Sequence, residues 1–185
     1  MTKRENRIKV NVKTTDADLL ISKNVKELSP SSESLNSFDR LTFDGYRLRW
    51  HGASPAEYNA FSGQSDLSAR ESKKDLGPTP QGLFAIDPAN IEELEPSNDW
   101  GSYRVKIEPY RSTVQRMSNC FDAIRTSMYI HGGKVNGTSG CIEINDDQQE
   151  KAFFEKLKSY GRKIELEVRF VGEMENKLEE SKCPY

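Results

Sequence analysis

Reactive side chains gather in one stretch of this chain, IHGGKVNGTSGCIEIND at positions 130–146. It holds His131, one of two histidines, and Cys141, one of three cysteines, in a run crowded with glycine. A thiol is a strong nucleophile only as thiolate, so it needs a basic or electropositive neighbour. An imidazole can take that proton and later return one to a leaving amine. The segments MYIH and CIEI read as short strands, with His131 ending the first and Cys141 starting the second. A glycine-rich connection between them lets the two side chains meet across a hairpin. Gly140 allows backbone to approach a substrate carbonyl closely, and the N–H groups around Gly140 and Cys141 are candidates for an oxyanion hole. Thr138 and Ser139 either donate to that oxyanion or satisfy the turn.

Other readings of the same residues stand beside this one. His131 can be a packed histidine and Cys141 a small buried hydrophobe, as most cysteines are. A metal site built from Cys120, His131 and Cys141 lacks the usual zinc spacings and an evident fourth ligand, so none is expected. Ser139 in TSGC does not form the G-x-S-x-G elbow of serine hydrolases. His51, near the end of RLRWHG, reads as structural or exposed, and Cys120 and Cys183 as bystanders.

The rest of the chain must position these groups. At 185 residues it is long enough for a single domain with a substantial core. Seven Tyr, eight Phe and two Trp argue against wholesale disorder despite 30% charged residues. Net charge is −2 with both signs interspersed, so there is no basic field suited to nucleic acid. No apolar run approaches a membrane span. The first residues, MTKRENRIKVNVKTTD, carry no apolar h-region, so no Sec signal is expected and the chain is expected to be made and folded in the cytoplasm. Cysteines at 120, 141 and 183 include no C-x-x-C, so a free thiol is expected rather than a disulfide framework.

Three segments are expected. Residues 1–38 form a polar N-terminal segment and linker in which RIKVNVK alternates like an edge strand. Residues 39–172 form the main domain, and 173–185 a charged tail. In the domain, LTFDGYRLRWHG is two alternating runs around Asp44-Gly45, a dipeptide that tight hairpin turns favour. Gly82 to Ile86 read as a strand bounded by prolines, and DWGSYRVKIEPY and IELEVRFV as further strands. SNCFDAI reads as a short helical turn. The strongest helix is DDQQEKAFFEKLKSYGRK, capped by Asp146 or Asp147, ended by Gly161, with apolar residues at helical spacing. The fold class is mainly β, a sandwich or open barrel, with one packed C-terminal helix.

IHGGKVNGTSGCIEI resembles the signature of the L,D-transpeptidase catalytic domain, in which a His-Gly pair precedes a [Ser/Thr]-x-Gly-Cys-Ile block. His131, Gly132, Thr138, Gly140, Cys141 and Ile142 carry the match. A second block agrees: Ser62, Gly63, Thr79, Pro80, Gly82, Phe84 and Ile86 resemble the family's S-x-G strand followed by T-P-x-G-x-(F/Y)-x-I. The likeness spans about residues 41 to 168. The chain departs from the family at Ser139, where His, Lys or Arg is common, and at Glu143, where Arg is usual. Its compact His-to-Cys spacing resembles the L,D-transpeptidase toxins delivered by type VI secretion.

The resemblance implies acyl transfer on peptidoglycan tetrapeptide stems without metal or cofactor, as L,D-carboxypeptidase or L,D-transpeptidase exchange of the terminal D-Ala. Cys141 would be the nucleophile and His131 the base, oriented by the carbonyl of Gly132. Arg125 would bind a substrate carboxylate bidentately or simply lie on the surface, and Tyr129 would wall the cleft beside the substrate. The implied partners are the stems, an immunity protein and a secretion apparatus, with no membrane insertion and action in the periplasm of a target cell by a non-Sec route. The competing expectation is a non-catalytic peptidoglycan-binding or interaction module on the same scaffold.

Overall fold

The computed structural model describes residues 39–64, 70–121, 123–135 and 137–172. The expected edge strand RIKVNVK, the segment 1–38 and the tail 173–185 lie outside the described residues.

The protein is mainly β, with nine strands and two helices among the described residues. The elements are β1 (Arg40–Phe43), β2 (Arg47–His51), β3 (Ala56–Asn59), β4 (Phe61–Ser62), β5 (Gly82–Ser97), β6 (Gly101–Pro109), α1 (Arg111–Cys120), β7 (Tyr129–Gly132), β8 (Ile142–Ile144), α2 (Asp147–Tyr160) and β9 (Ile164–Val168). The strands form one mixed sheet in the order β3-β2-β1-β9-β5-β6-β7-β8-β4. Its two edge strands, β3 and β4, are separated in the chain by Ala60 alone. A sheet whose opposite edges are joined by one residue must curl round on itself, so the open barrel is the form the fold takes.

Alternation sorts the side chains of each strand. Leu41, Phe43, Leu48, Trp50, Phe84, Ile86, Val105, Ile107, Ile130, Ile142, Ile144, Leu166 and Val168 are all buried in one core. The helix α2 fills that core with Phe153, Phe154 and Leu157. Phe153 meets Tyr58 edge-on and Phe154 stacks on Tyr103, each pair with ring centroids 5.3 Å apart. Both ends of α2 carry the caps expected from sequence. The Asp146 side chain accepts from the Gln149 N–H at 2.8 Å, and Gly161 takes a left-handed φ of 64°.

Two elements differ from the sequence reading. Pro88 does not end β5, because it falls between Ile86 and Ile91, where the ladder with β6 shifts register. A bulge tolerates a residue with no N–H to donate. The helical turn expected at SNCFDAI is instead the end of a full helix, α1, closed by the Phe121 N–H on the Met117 carbonyl at 2.8 Å. Its sequence, RSTVQRMSNC, buries only Thr113 and Met117, so its apolar period is faint.

Glu150, in the first turn of α2, joins the helix to the strands of the site. It is buried, and its Oε1 accepts from the N–H groups of Ser102 at 2.8 Å and Tyr103 at 2.9 Å. The carboxyl sits where a Cβ on Gly101 or Gly132 would lie, so a larger residue at either position would displace it. Replacing Glu150 by Ala leaves two part-buried donors without their acceptor and should cost about 1–3 kcal/mol. Glu150→Gln keeps an acceptor oxygen and should cost less. Urea unfolding at neutral pH checks the order, and equal losses would contradict it.

Candidate functional site

Strand β7 ends in His131 and Gly132, and β8 begins one residue after Cys141. The two strands are parallel, not a hairpin, with Ile130 level with Ile142 and His131 level with Glu143. The connection, residues 133–141, therefore returns the chain to its starting level. Parallel neighbours usually need a dozen or more residues for this, and here positive-φ glycines at 133, 137 and 140 make the shorter return. Extending the register places Cys141 level with Tyr129. Since Ile130, Ile142 and Ile144 face the core, Tyr129, His131, Cys141 and Glu143 share the opposite face. His131 and Cys141 are therefore diagonal neighbours on that face.

The return loop is held from three sides. The Thr138 hydroxyl accepts from the Gly63 N–H at 2.9 Å and donates to the Cys141 carbonyl at 2.7 Å. It also accepts from the Gly140 N–H at 3.3 Å. Thr138 thus brackets the turn, which decides between its two expected roles. Thr79 donates to the Gly140 carbonyl at 2.8 Å, and its own N–H is accepted by Ser62 Oγ at 2.8 Å. The two sequence blocks that carry the family resemblance are therefore one physical assembly.

Arg125 is the third brace, and its position corrects an expectation. It is 5% exposed. Its Nη1 donates to the carbonyls of Glu71 at 2.7 Å and Pro78 at 2.6 Å, and its Nη2 to those of Gly77 at 2.8 Å and Ser139 at 3.1 Å. A guanidinium fixed on four carbonyls is a clamp, not a receptor for a substrate carboxylate. The buried Glu71, whose backbone takes part in this clamp, is itself paired to Arg116 of α1. A Cβ on Gly140 would overlap the Arg125 guanidinium, which explains the glycine in TSGC. Ser139 is exposed and lends its carbonyl to the clamp. With the Gly140 N–H turned toward Thr138, the Cys141 N–H is the remaining oxyanion candidate of the pair.

His131 is 4% exposed and Cys141 7%. The Nδ1–H of His131 is bonded to the carbonyl of Gly132, which fixes the tautomer and leaves Nε2 as the acceptor. Burial pushes the imidazole below its ordinary pKa, the Gly132 bond opposes this, and the Arg104 charge adds to it. Burial pushes the Cys141 thiol up, while the Tyr129 N–H and the charges of Arg125 and Arg104 pull it back and Glu143 pushes it further. Both shifts favour the neutral forms. At neutral pH the pair is a thiol beside a neutral imidazole rather than a preformed ion pair.

Of three further residues at the site, Trp100 reads from sequence only as core or cleft wall, and Arg104 and Glu143 were not singled out as parts of it. Trp100 lies against His131, ring centroids 4.8 Å apart, and meets Tyr129 edge-on at 6.0 Å. Arg104 of β6 is level with His131 and lies over both Trp100 and Tyr129. SYRVKIE shows that Arg104 is on a polar face, but not which strand borders it. Glu143, noted from sequence only as a departure from Arg, is 1% exposed, level with His131, and its Oε1 has no partner. The other histidine, His51, bonds Thr42 Oγ1 at 2.8 Å on β1–β2, a structural role as expected. Cys120 is disulfide-bonded, contrary to the sequence expectation, and Cys141 is free.

A cleft of about 650 Å³ opens at the tip of the β5–β6 hairpin, lined among others by Asn98, Gly101, Lys134, Asp147 and Glu150. Its lining includes neither Cys141 nor His131. No group of His, Cys, Asp and Glu among the described residues is arranged to hold a metal ion. Neither a protein-family model nor a curated protein matches this chain.

Glu143 yields a prediction that does not depend on any activity. Burial, and then the charge of Asp99, push its carboxyl up to about 8 from an ordinary 4.5. The unfolded chain releases this proton near 4.5 and the folded chain holds it to about 8. Glu143 therefore takes stability away progressively as pH rises between those values. Glu143→Gln should melt like the wild type below about pH 4.5, gain in Tm through the interval, and hold a constant advantage above it. Calorimetry across that range checks this. An advantage that shrinks with rising pH would mean that ionised Glu143 has a stabilising partner.

Proposed function

We propose that this protein is a cysteine acyltransferase acting on peptidoglycan tetrapeptide stems. The observation that supports the reading most is the tautomer-fixed, neutral His131 on the same sheet face as the free thiol of Cys141. In the reaction proposed, Cys141 Sγ attacks the carbonyl of the amide between the diamino acid and the terminal D-Ala. His131 Nε2 takes the thiol proton as the C–S bond forms and delivers it to the departing nitrogen as the C–N bond breaks. D-Ala leaves and a thioester remains. Water then gives a tripeptide stem, a free D-amino acid gives exchange, and an amine from another stem gives a crosslink. The depressed imidazole pKa suits a base at neutral pH, and the Cys141 N–H would meet the developing oxyanion.

The proposed site of action is the periplasm of a target cell, where the stems are, with the protein acting as an antibacterial effector. A disulfide at Cys120 fits an oxidising compartment. Trimming or exchange of tetrapeptides would remove the donors that crosslinking needs, which would make the activity harmful. The non-catalytic alternative is favoured by one observation, the burial that raises the Cys141 thiol. Activity separates the two readings.

Purified sacculi incubated with the protein, with and without a D-amino acid, should show terminal D-Ala released or replaced by mass spectrometry of the muropeptides. Cys141→Ala and His131→Ala should each lower turnover at least about a thousandfold, and the double mutant should be little worse than either, since the two residues act as a unit. Unaltered stems with the wild-type protein would leave the binding-module reading. In cells, export through a fused Sec signal should cause swelling or lysis dependent on Cys141, while cytoplasmic expression should not. Equal toxicity in both compartments would point to another target.

A further inference from the structure

An enzyme that removes a single terminal residue must recognise where the chain ends. On the acyl-transfer reading, the free carboxylate of the stem lies one residue beyond the scissile carbonyl. Its receptor must therefore be a cation within about one residue, roughly 3.5 Å of extended chain, of the leaving nitrogen. Arg125 is buried and fixed on backbone carbonyls, so it does not qualify.

Arg104 does. Its ladder position is level with His131, on the same face as Cys141 and two strands from it. That lateral separation is about 10 Å at the backbone, a gap the Arg104 side chain and the substrate's terminal residue can bridge between them. The guanidinium is carried on the aromatic faces of Trp100, 5.2 Å away, and Tyr129, 5.0 Å away, and Trp100 in turn lies against His131. Its charge reaches both Cys141 and His131. The side chain is 29% exposed, and its carboxylate partner, Glu92, is 48% exposed. Arg104 Nε at 3.0 Å and Nη2 at 2.6 Å both donate to the single oxygen Oε2 of Glu92. An ion pair so open to water contributes little, and a substrate carboxylate offering two oxygens to the guanidinium fork would replace it. Lys106, the neighbouring cation on β6, is paired with Glu108 at 2.6 Å and is level with Tyr129, two residues farther along the ladder from His131.

We propose that Arg104, supported by Trp100 and Tyr129, is the receptor for the C-terminal carboxylate of the donor stem, and that Glu92 occupies it until substrate arrives. The site then selects stems that end one residue after the scissile bond and rejects those extended by a further amino acid.

The test compares two synthetic substrates, the tetrapeptide stem with a free C-terminal carboxylate and the same peptide as its carboxamide. The wild-type protein should show a kcat/KM ratio of about 10- to 100-fold in favour of the carboxylate. In Arg104→Gln that ratio should fall toward one, with Arg104→Lys in between. Glu92→Gln should lower KM for the carboxylate substrate and leave KM for the carboxamide unchanged, a split that general destabilisation would not produce. A wild-type ratio near one would overturn the proposal, and so would an Arg104→Gln variant that keeps the full ratio, a result that would direct attention to Lys106. If the wild-type protein turns over neither peptide, the acyl-transfer reading itself fails. Turnover of both at equal rates would leave that reading standing and remove only the carboxylate receptor.

Discussion

The parallel pairing of β7 with β8 is the constraint on which the rest of the site depends. Because the ladder sets Ile130 beside Ile142, the residue before β8 comes level with Tyr129, and its side chain shares the face of His131. A slip of one residue would turn Cys141 into the core and bring an isoleucine out beside the imidazole. The register is fixed from both faces. On the inner side, Ile130, Ile142 and Ile144 are fully buried under α2, and Glu150 closes over Gly132. On the outer side, Thr138, Thr79 and Arg125 hold the return loop by its carbonyls and N–H groups. The loop therefore arrives at Cys141 in one conformation, and most of the polar groups around it serve this placement rather than contact with a ligand.

The electrostatics of the face follow from its burial. Arg104 and Arg125 lower the cost of a thiolate at Cys141, yet desolvation outweighs them and the thiol stays up. His131 is held neutral for the same reason. On the proposed acyl-transfer reading, such a pair would move a proton as the nucleophile attacks, with His131 as base, and would not store an ion pair in the resting state. Glu143 belongs to the same balance. With a carboxyl near 8 it is mainly protonated at neutral pH, so it adds little charge beside His131.

Much of this was legible in the sequence because it is local. The Asp44-Gly45 turn, the α2 caps at Asp146 and Gly161, and the alternation of CIEI and SMYIH each follow from a few neighbouring residues. The mainly β class with a C-terminal helix follows from them too. What was not legible is pairing between distant segments. MYIH and CIEI read equally well as a hairpin, since alternation does not reveal whether neighbours run parallel. Arg125 read as a surface or substrate-binding arginine because its four acceptors are backbone carbonyls, which have no signature in sequence. Arg104 and Trp100 lie on β6 and at its approach, far from His131 along the chain, and only the β6–β7 ladder brings them to it. The helix α1 was missed for a different reason, since a surface helix with two buried residues leaves almost no apolar period.

The central claim is that Cys141 forms a thioester with a stem peptide. Its most direct test is the mass of the protein itself, quenched in acid during turnover of a tetrapeptide stem, then digested to locate the adduct. The account predicts an added mass equal to the stem without its terminal D-Ala, carried by the peptide that contains Cys141, removed by hydroxylamine, and absent in Cys141→Ala. A protein that consumes the stem while its Cys141 peptide stays unmodified, or that carries the adduct on another residue, would contradict it.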